Sequence, residues 1–128
     1  MLWQQWSPTW EFNDETFKRT AASFDNPDFV DVVVHSYRFD FGLAAGDPAM
    51  AELEARLAEK PPITVPAITL DGTQDPLKPG GTADHAKMFK GRHEHRVVEC
   101  GHNFPWEAPE EFADAVMTVR AWTLERED

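Results

Sequence analysis

Ile63-Thr-Val-Pro-Ala-Ile-Thr-Leu-Asp-Gly-Thr-Gln-Asp75 and, further along, Glu94-His-Arg-Val-Val-Glu-Cys-Gly-His102 decide how this chain folds. Each is an apolar, β-branched run that passes through a glycine turn and ends in a side chain able to hold or move a proton. Residues 63–70 run apolar almost without interruption, the pattern of a strand buried on both faces of a parallel sheet, with Pro66 near its start. Residues 94–100 read as the next strand. Between them Gly80-Gly81 makes a turn and residues 82–88 a short crossover helix, so the unit is a right-handed parallel strand–helix–strand. Two such strands deliver Asp75 and His102 to the same end of one sheet. In an open parallel sheet that end is where ligands bind.

Working outward, Lys60-Pro61-Pro62 marks a boundary, because proline cannot continue a helix and holds the preceding residue extended. Before it the pattern is helical. Asn13 is a good N-cap, and Phe17, Thr20, Ala21 and Phe24 recur at helical spacing up to Asp25. Asn26-Pro27 opens a second helix with Phe29, Val32, Val33 and Tyr37 on one face; the run Val32-Val33-Val34 argues for a strand, but the cap and the spacing outweigh it. Asp47-Pro48 opens a third, through Leu53 and Leu57. After the second strand, Pro109-Glu110-Glu111 starts a closing helix whose buried stripe is Phe112, Ala115, Val116, Val119 and Trp122, with Arg120 and Arg126 toward its negative end.

Residues 1–12 carry Trp3, Trp6, Trp10 and Phe12 around Ser7-Pro8. So much aromatic surface must pack, either as an anchor on the chain's own core or as the opening of a larger protein whose preceding helix is missing. Only two strands are legible, and a two-stranded parallel sheet has open edges and little stability of its own. Further strands are expected from missing sequence or from a second chain, either a second copy or a complementing one.

The composition narrows the function. At 128 residues the chain is about one domain, and 41% apolar with 27% charged residues is ordinary globular usage. A net charge of −11 argues against a nucleic-acid partner, which requires a Lys and Arg patch. No run is long enough to span a bilayer. Cys100 is the single cysteine, so an internal disulfide is impossible, and without a secretory pattern at the N-terminus a cytoplasmic home is expected.

A carboxylate that accepts a histidine N–H fixes the ring tautomer and stabilises the imidazolium formed when the histidine acts as a base. Asp75 and His102 hold equivalent positions after their strands, which favours that role over the plainer ones, a turn aspartate bonded to its own backbone and a structural turn histidine. Other constellations are weaker. Cys100 with His102 makes a conceivable nucleophile pair, but a residue ending a strand is usually core. His93-Glu94-His95 with His85 lacks metal-ligand spacing, and Gly80-Gly81 is a weak phosphate cradle. No cofactor or metal is expected.

Leu70-Asp-Gly-Thr-Gln-Asp75-Pro-Leu-Lys-Pro79 and Gly101-His102-Asn-Phe-Pro105-Trp-Glu107-Ala-Pro109-Glu-Glu-Phe112 resemble the acid turn and histidine turn of the α/β-hydrolase superfamily. His35-Ser36-Tyr37-Arg38 is similar to a late cap segment of its epoxide-hydrolase and haloalkane-dehalogenase-like branch. The resemblance implies an α/β fold class: a partial α/β-hydrolase fold with a helical cap segment at 1–60 and a parallel β-α-β-α part of the core at 61–128. It implies Asp75 as triad acid, His102 as general base, and a small apolar epoxide, halide or ester substrate. Tyr37 becomes a candidate hydrogen-bond donor to an epoxide oxygen, against the alternative of a buried tyrosine bonded to backbone. The family's nucleophile elbow, Gly-x-Ser-x-Gly or Gly-x-Asp-x-Gly, occurs nowhere in this chain. The polypeptide alone is therefore expected to be inactive. A second expectation is a non-catalytic, truncated module that self-associates or binds a partner through its sheet edge and aromatic N-terminus.

Overall fold

The computed structural model describes residues 2–125. In chain order these form α1 (Leu2–Trp6), α2 (Asp14–Ala21) continued by a 3-10 turn (Ala22–Asp25), α3 (Phe29–Asp40), a 3-10 turn (Pro48–Met50) leading into α4 (Ala51–Ala58), β1 (Ala67–Gly72), a 3-10 helix (Ala83–Met88), β2 (His93–Val98), α5 (Phe104–Glu107) and α6 (Pro109–Leu124). They divide into two compact units, residues 11–60 and residues 2–10 with 61–125. Residues 2–10 thus sit with the second half of the chain rather than with the helical segment expected over 1–60. The reason lies in the bonds that Trp6 and Ser7 make to residues 102 and 103, described below. Among the described residues no helix is long and apolar enough to cross a membrane.

The helical unit follows its caps. Asn13 accepts from the Thr16 backbone N–H at 2.9 Å and Asp47 from that of Ala49 at 2.9 Å, each satisfying a donor the helix itself leaves open. Asn26 accepts from the Asp28 N–H instead of capping directly, so α3 starts at Phe29, two residues later than Pro27 predicts. The Val32-Val33-Val34 run is helical. Phe17, Phe24 and Phe29 form an edge-and-tilt cluster with centroids 6.4 and 4.8 Å apart. Of the apolar face expected on α3, Phe29 and Val33 are partly buried, while Val32 and Tyr37 are exposed.

In the other unit β1 and β2 pair in parallel, from Ala67 opposite His93 to Gly72 opposite Val98. Ile63 pairs with Phe89 as an isolated bridge, and the continuous ladder starts only after Pro66, which has no N–H to give it. The first strand therefore covers Ala67–Gly72 rather than 63–70. The second ends at Val98 rather than 100, because the Cys100 N–H turns back to the Val98 carbonyl at 3.0 Å. Every residue of β1 is half-buried, in place of the burial on both faces that its composition predicts. The crossover is a 3-10 helix in place of the expected helix from Thr82, whose hydroxyl is engaged elsewhere.

The buried core is small and lies beneath the histidine turn: Cys100, Phe104 and Ala108, with Leu70 and Val98 packed against them. On α6, Ala115 and Trp122 are buried, whereas of the expected stripe Val116 is about half exposed and Phe112 somewhat less. Arg92 lies 4.2 Å over the Trp122 ring and bonds Glu125 at 2.9 Å, tying the end of α6 to the entry of β2. Arg120 precedes the last turn of α6, and Arg126 lies outside the described residues.

Candidate active site

The parallel pairing does not stop with the strands. The Thr73 N–H donates to the Val98 carbonyl and that of Gln74 to Cys100, both at 2.9 Å, so the acid turn and the histidine turn leave the sheet bonded to each other. Gly72 permits this approach. A Cβ there would lie 2.5 Å from the Cys100 carbonyl oxygen and 2.6 Å from that of Gly101.

This apposition brings Asp75 and His102 together, with Nδ1 of the imidazole 2.9 Å from Oδ2 of the carboxylate. An ionised carboxylate only accepts, so Nδ1 carries the hydrogen and, in the neutral ring, Nε2 holds the lone pair. The other oxygen, Oδ1, accepts from the Leu77 N–H at 2.9 Å. The turn-aspartate role and the histidine-partner role are thus both filled, one by each oxygen. Asp75 is the more enclosed partner, with 18% of its side chain exposed against 43% for His102. Buried neighbours in the chain, Cys100 and Gly101 before and Phe104 after, anchor a loop whose histidine stays accessible.

Several residues around His102 are not evident as site elements in the sequence. Its own N–H donates to the Trp6 carbonyl at 2.9 Å, and the Trp6 ring meets the imidazole edge-on at 5.7 Å between centroids. The Ser7 hydroxyl, almost fully buried, accepts from the backbone N–H and the side-chain amide of Asn103 at 3.0 and 2.8 Å. Glu107 accepts from the Gly101 and Asn103 amides at 2.9 and 3.0 Å. Trp3 stacks on Trp10, with Trp106 beyond it. A carboxylate shortly after a polar residue that opens a helix is a recognisable capping pattern. No local pattern announces the pairing of Ser7 with Asn103, far apart in the chain.

The remaining candidates resolve differently. Cys100 is buried, and burial, reinforced by Glu107, Glu111 and Asp75, pushes its thiol up to about 11, which removes it as a nucleophile beside His102. His95 is bonded through Nε2 to Asp71 at 2.7 Å, and His93 stacks on Phe89 and bonds Thr69. Burial alone would raise the Asp71 pKa, but the Thr82 N–H, His95 and the Thr82 hydroxyl together hold it below the ordinary carboxylate value. Among the described residues no cluster of His, Cys, Asp and Glu is arranged to hold a metal ion. The Thr82 N–H after Gly80-Gly81 donates to Asp71, so the turn faces a carboxylate, the wrong neighbour for a phosphate. Tyr37 lies on α3 of the helical unit with an exposed side chain, not the buried one of the alternative reading.

No protein-family model matches the chain, and no curated protein matches it. Among solved structures, it is similar to a protein of Klebsiella pneumoniae subsp. pneumoniae MGH 78578 to which epoxide hydrolase activity is ascribed. The two share 42% sequence identity with a TM-score of 0.87, over 92% of this chain and 40% of that one. The likeness is therefore to one part of an epoxide-hydrolase-like protein, and the chain spans well under half of that relative's length. The mixed helix and sheet architecture, with its small parallel sheet, agrees with a partial α/β fold.

Proposed function

We propose that this chain supplies the acid and the base of an α/β-hydrolase-type site, Asp75 and His102, and that the nucleophile comes from sequence outside it. The observation that carries this reading is the 2.9 Å bond between Asp75 Oδ2 and His102 Nδ1 at the ends of two adjacent parallel strands. In the complete site an Asp carboxylate attacks an epoxide carbon to form an alkyl-enzyme ester, breaking a ring C–O bond and leaving an alkoxide that takes a proton. A Ser nucleophile would instead attack the carbonyl of an ester substrate to form an acyl-enzyme and expel the alcohol. Tyr37 is the proposed donor of the proton that the alkoxide takes, on the sequence resemblance. His102 Nε2 then removes a proton from water, the hydroxide attacks the ester carbonyl, and the diol leaves as the nucleophile is regenerated. Asp75 stabilises the imidazolium in between. Small apolar epoxides, esters or halides are the proposed substrates, and no cofactor is required.

The test is a chimaera joining this chain to the part of the Klebsiella protein outside the matched region. It should open a small alkyl or aryl epoxide to the diol, and Asp75→Asn and His102→Ala should each lower kcat by at least about 100-fold. A chimaera indifferent to both substitutions would contradict the proposal, as would turnover by the unmodified chain alone.

One observation favours the second reading, a self-associating module. An apolar hollow of about 350 Å³ between β1 and α6, lined by Ile68, Leu70, Phe112, Val116 and Val119 among others, is open to solvent. Light scattering should then report a dimer or larger species, disrupted by Val116→Asp. A monomer at all concentrations would exclude it.

A further inference from the structure

The three consecutive backbone N–H groups around His102 are all committed to protein acceptors. That of Gly101 goes to Glu107 Oε2 at 2.9 Å, that of His102 to the Trp6 carbonyl at 2.9 Å, and that of Asn103 is shared between Glu107 Oε1 and Ser7 Oγ, each at 3.0 Å. Glu107 also accepts from the Thr9 hydroxyl at 3.2 Å. One carboxylate thus holds the amides on either side of His102 and the segment that lies beneath it. Charge-assisted bonds of this kind are stronger than those to neutral acceptors, and two oxygens on one rigid group fix the spacing of the two amides they hold. The turn is also tightly packed there: a Cβ on Gly101 would lie 2.6 Å from Ser7 Cα and 3.0 Å from Glu107 Oε1.

We infer that Glu107 is a positioning residue for His102: by clasping the Gly101 and Asn103 amides it sets the direction of the imidazole, so that Nδ1 meets Asp75 and Nε2 is left for water. It acts through the backbone of the turn and not on the ring. The inference rests on the acid–base reading of Asp75 and His102, and it adds to that pair the group that aims it. Asn103 keeps Ser7 as a second acceptor when Glu107 is lost, whereas the Gly101 N–H loses the carboxylate oxygen it donates to. The damage should therefore begin on the Gly101 side.

The test needs no turnover. In the full chain with 15N-labelled histidine, at a pH where the rings are neutral, long-range 1H–15N correlation reports which ring nitrogen carries the hydrogen. His102 should be the Nδ1–H tautomer, because of Asp75, and His95 the Nε2–H tautomer, because of Asp71. In Glu107→Ala, His102 should lose its pure Nδ1–H state to a mixture with Nε2–H, and the Gly101 amide should exchange with solvent faster. His95 should stay unchanged, since its pair lies on the sheet. General loosening would move both histidines and would overturn the inference; so would a Glu107→Ala variant whose His102 tautomer and Gly101 exchange match the parent. If the alanine variant does not fold, Glu107→Gln decides: with one carbonyl oxygen for two amides it should speed exchange at Gly101 or Asn103, and unchanged exchange at both would overturn the inference. An unmodified chain with His102 already in the Nε2–H form would instead remove the Asp75 pair, and with it the acid–base reading itself.

Discussion

Gly72→Ala should pull the two turns of the site apart. The new Cβ would stand 2.5 Å from the Cys100 carbonyl oxygen and 2.6 Å from that of Gly101. A carbon–oxygen contact needs about 3.3 Å, so the acid turn and the histidine turn must separate by about 0.8 Å. Both obstacles are backbone, and no side chain can swing clear. That displacement takes the 2.9 Å bond from Gln74 N–H to the Cys100 carbonyl beyond useful length and strains the Asp75–His102 bond of the same length. Overpacking of this kind costs about 1–3 kcal/mol and the lost hydrogen bond about 1 kcal/mol. Against this, alanine reduces the freedom of the unfolded chain and returns about 0.4–1 kcal/mol. The balance is a loss of about 1–3.6 kcal/mol, which lowers the melting temperature of a unit of this size by at least about 4 °C. Tryptophan fluorescence is a suitable probe, because Trp3, Trp6, Trp10, Trp106 and Trp122 all lie in the unit that contains the sheet. A variant melting within about 1 °C of the parent would refute the close backbone apposition on which the site depends.

Other expectations concern groups outside the acid–base pair. Cys100, buried and with its thiol pushed up to about 11, should resist iodoacetamide at pH 8, where on the order of one thiol in a thousand is ionised, and should react readily once the chain is unfolded in urea. The Asp71 pKa is held below 3.8 in the folded state, so its contribution to stability is present above the unfolded carboxylate value and is lost as the pH falls through the lowered one. Urea titrations from pH 6 downward should show this loss in the parent, and Asp71→Asn should be less stable at pH 6 but flatter in acid. Ser7→Ala takes the Ser7 acceptor from the Asn103 side-chain amide and leaves the Asn103 backbone N–H to Glu107 alone, and should cost about 1–3 kcal/mol in urea denaturation.

How far the sequence announces this structure depends on distance along the chain. The acid turn and histidine turn are legible because each is a short local pattern, an apolar run, a glycine and a functional side chain, and because two parallel strands bring equivalent positions together. The helices that open after Asn13 and Asp47 are legible from their caps, whereas α3 forms through Val32-Val33-Val34 without the Asn26 cap and with half of its expected face exposed. The strand ends are less legible, since they depend on where hydrogen bonds stop: Pro66 breaks the first ladder, and the turn from Val98 to Cys100 ends the second. Least legible is the support of His102. Ser7 meets Asn103 across most of the chain, and nothing near Ser7 in the sequence marks it as part of a site. His95 with Asp71 is hidden in a similar way, because His93-Glu94-His95 suggests either a solvated strand entry or a ligand set, and the structure makes it a tie between neighbouring strands.

The most direct test of the central claim, that His102 is the base which activates water, is to remove the base and look for what should then be stranded. The chimaera with the remainder of the Klebsiella protein, carrying His102→Gln, is incubated with a small epoxide and its intact mass is measured. With an Asp nucleophile the first step survives without the histidine and the second does not. The expected result is a mass gain of one substrate per chain, held as an ester, with no diol released. Diol formed at the parental rate, with no adduct on the protein, would contradict it.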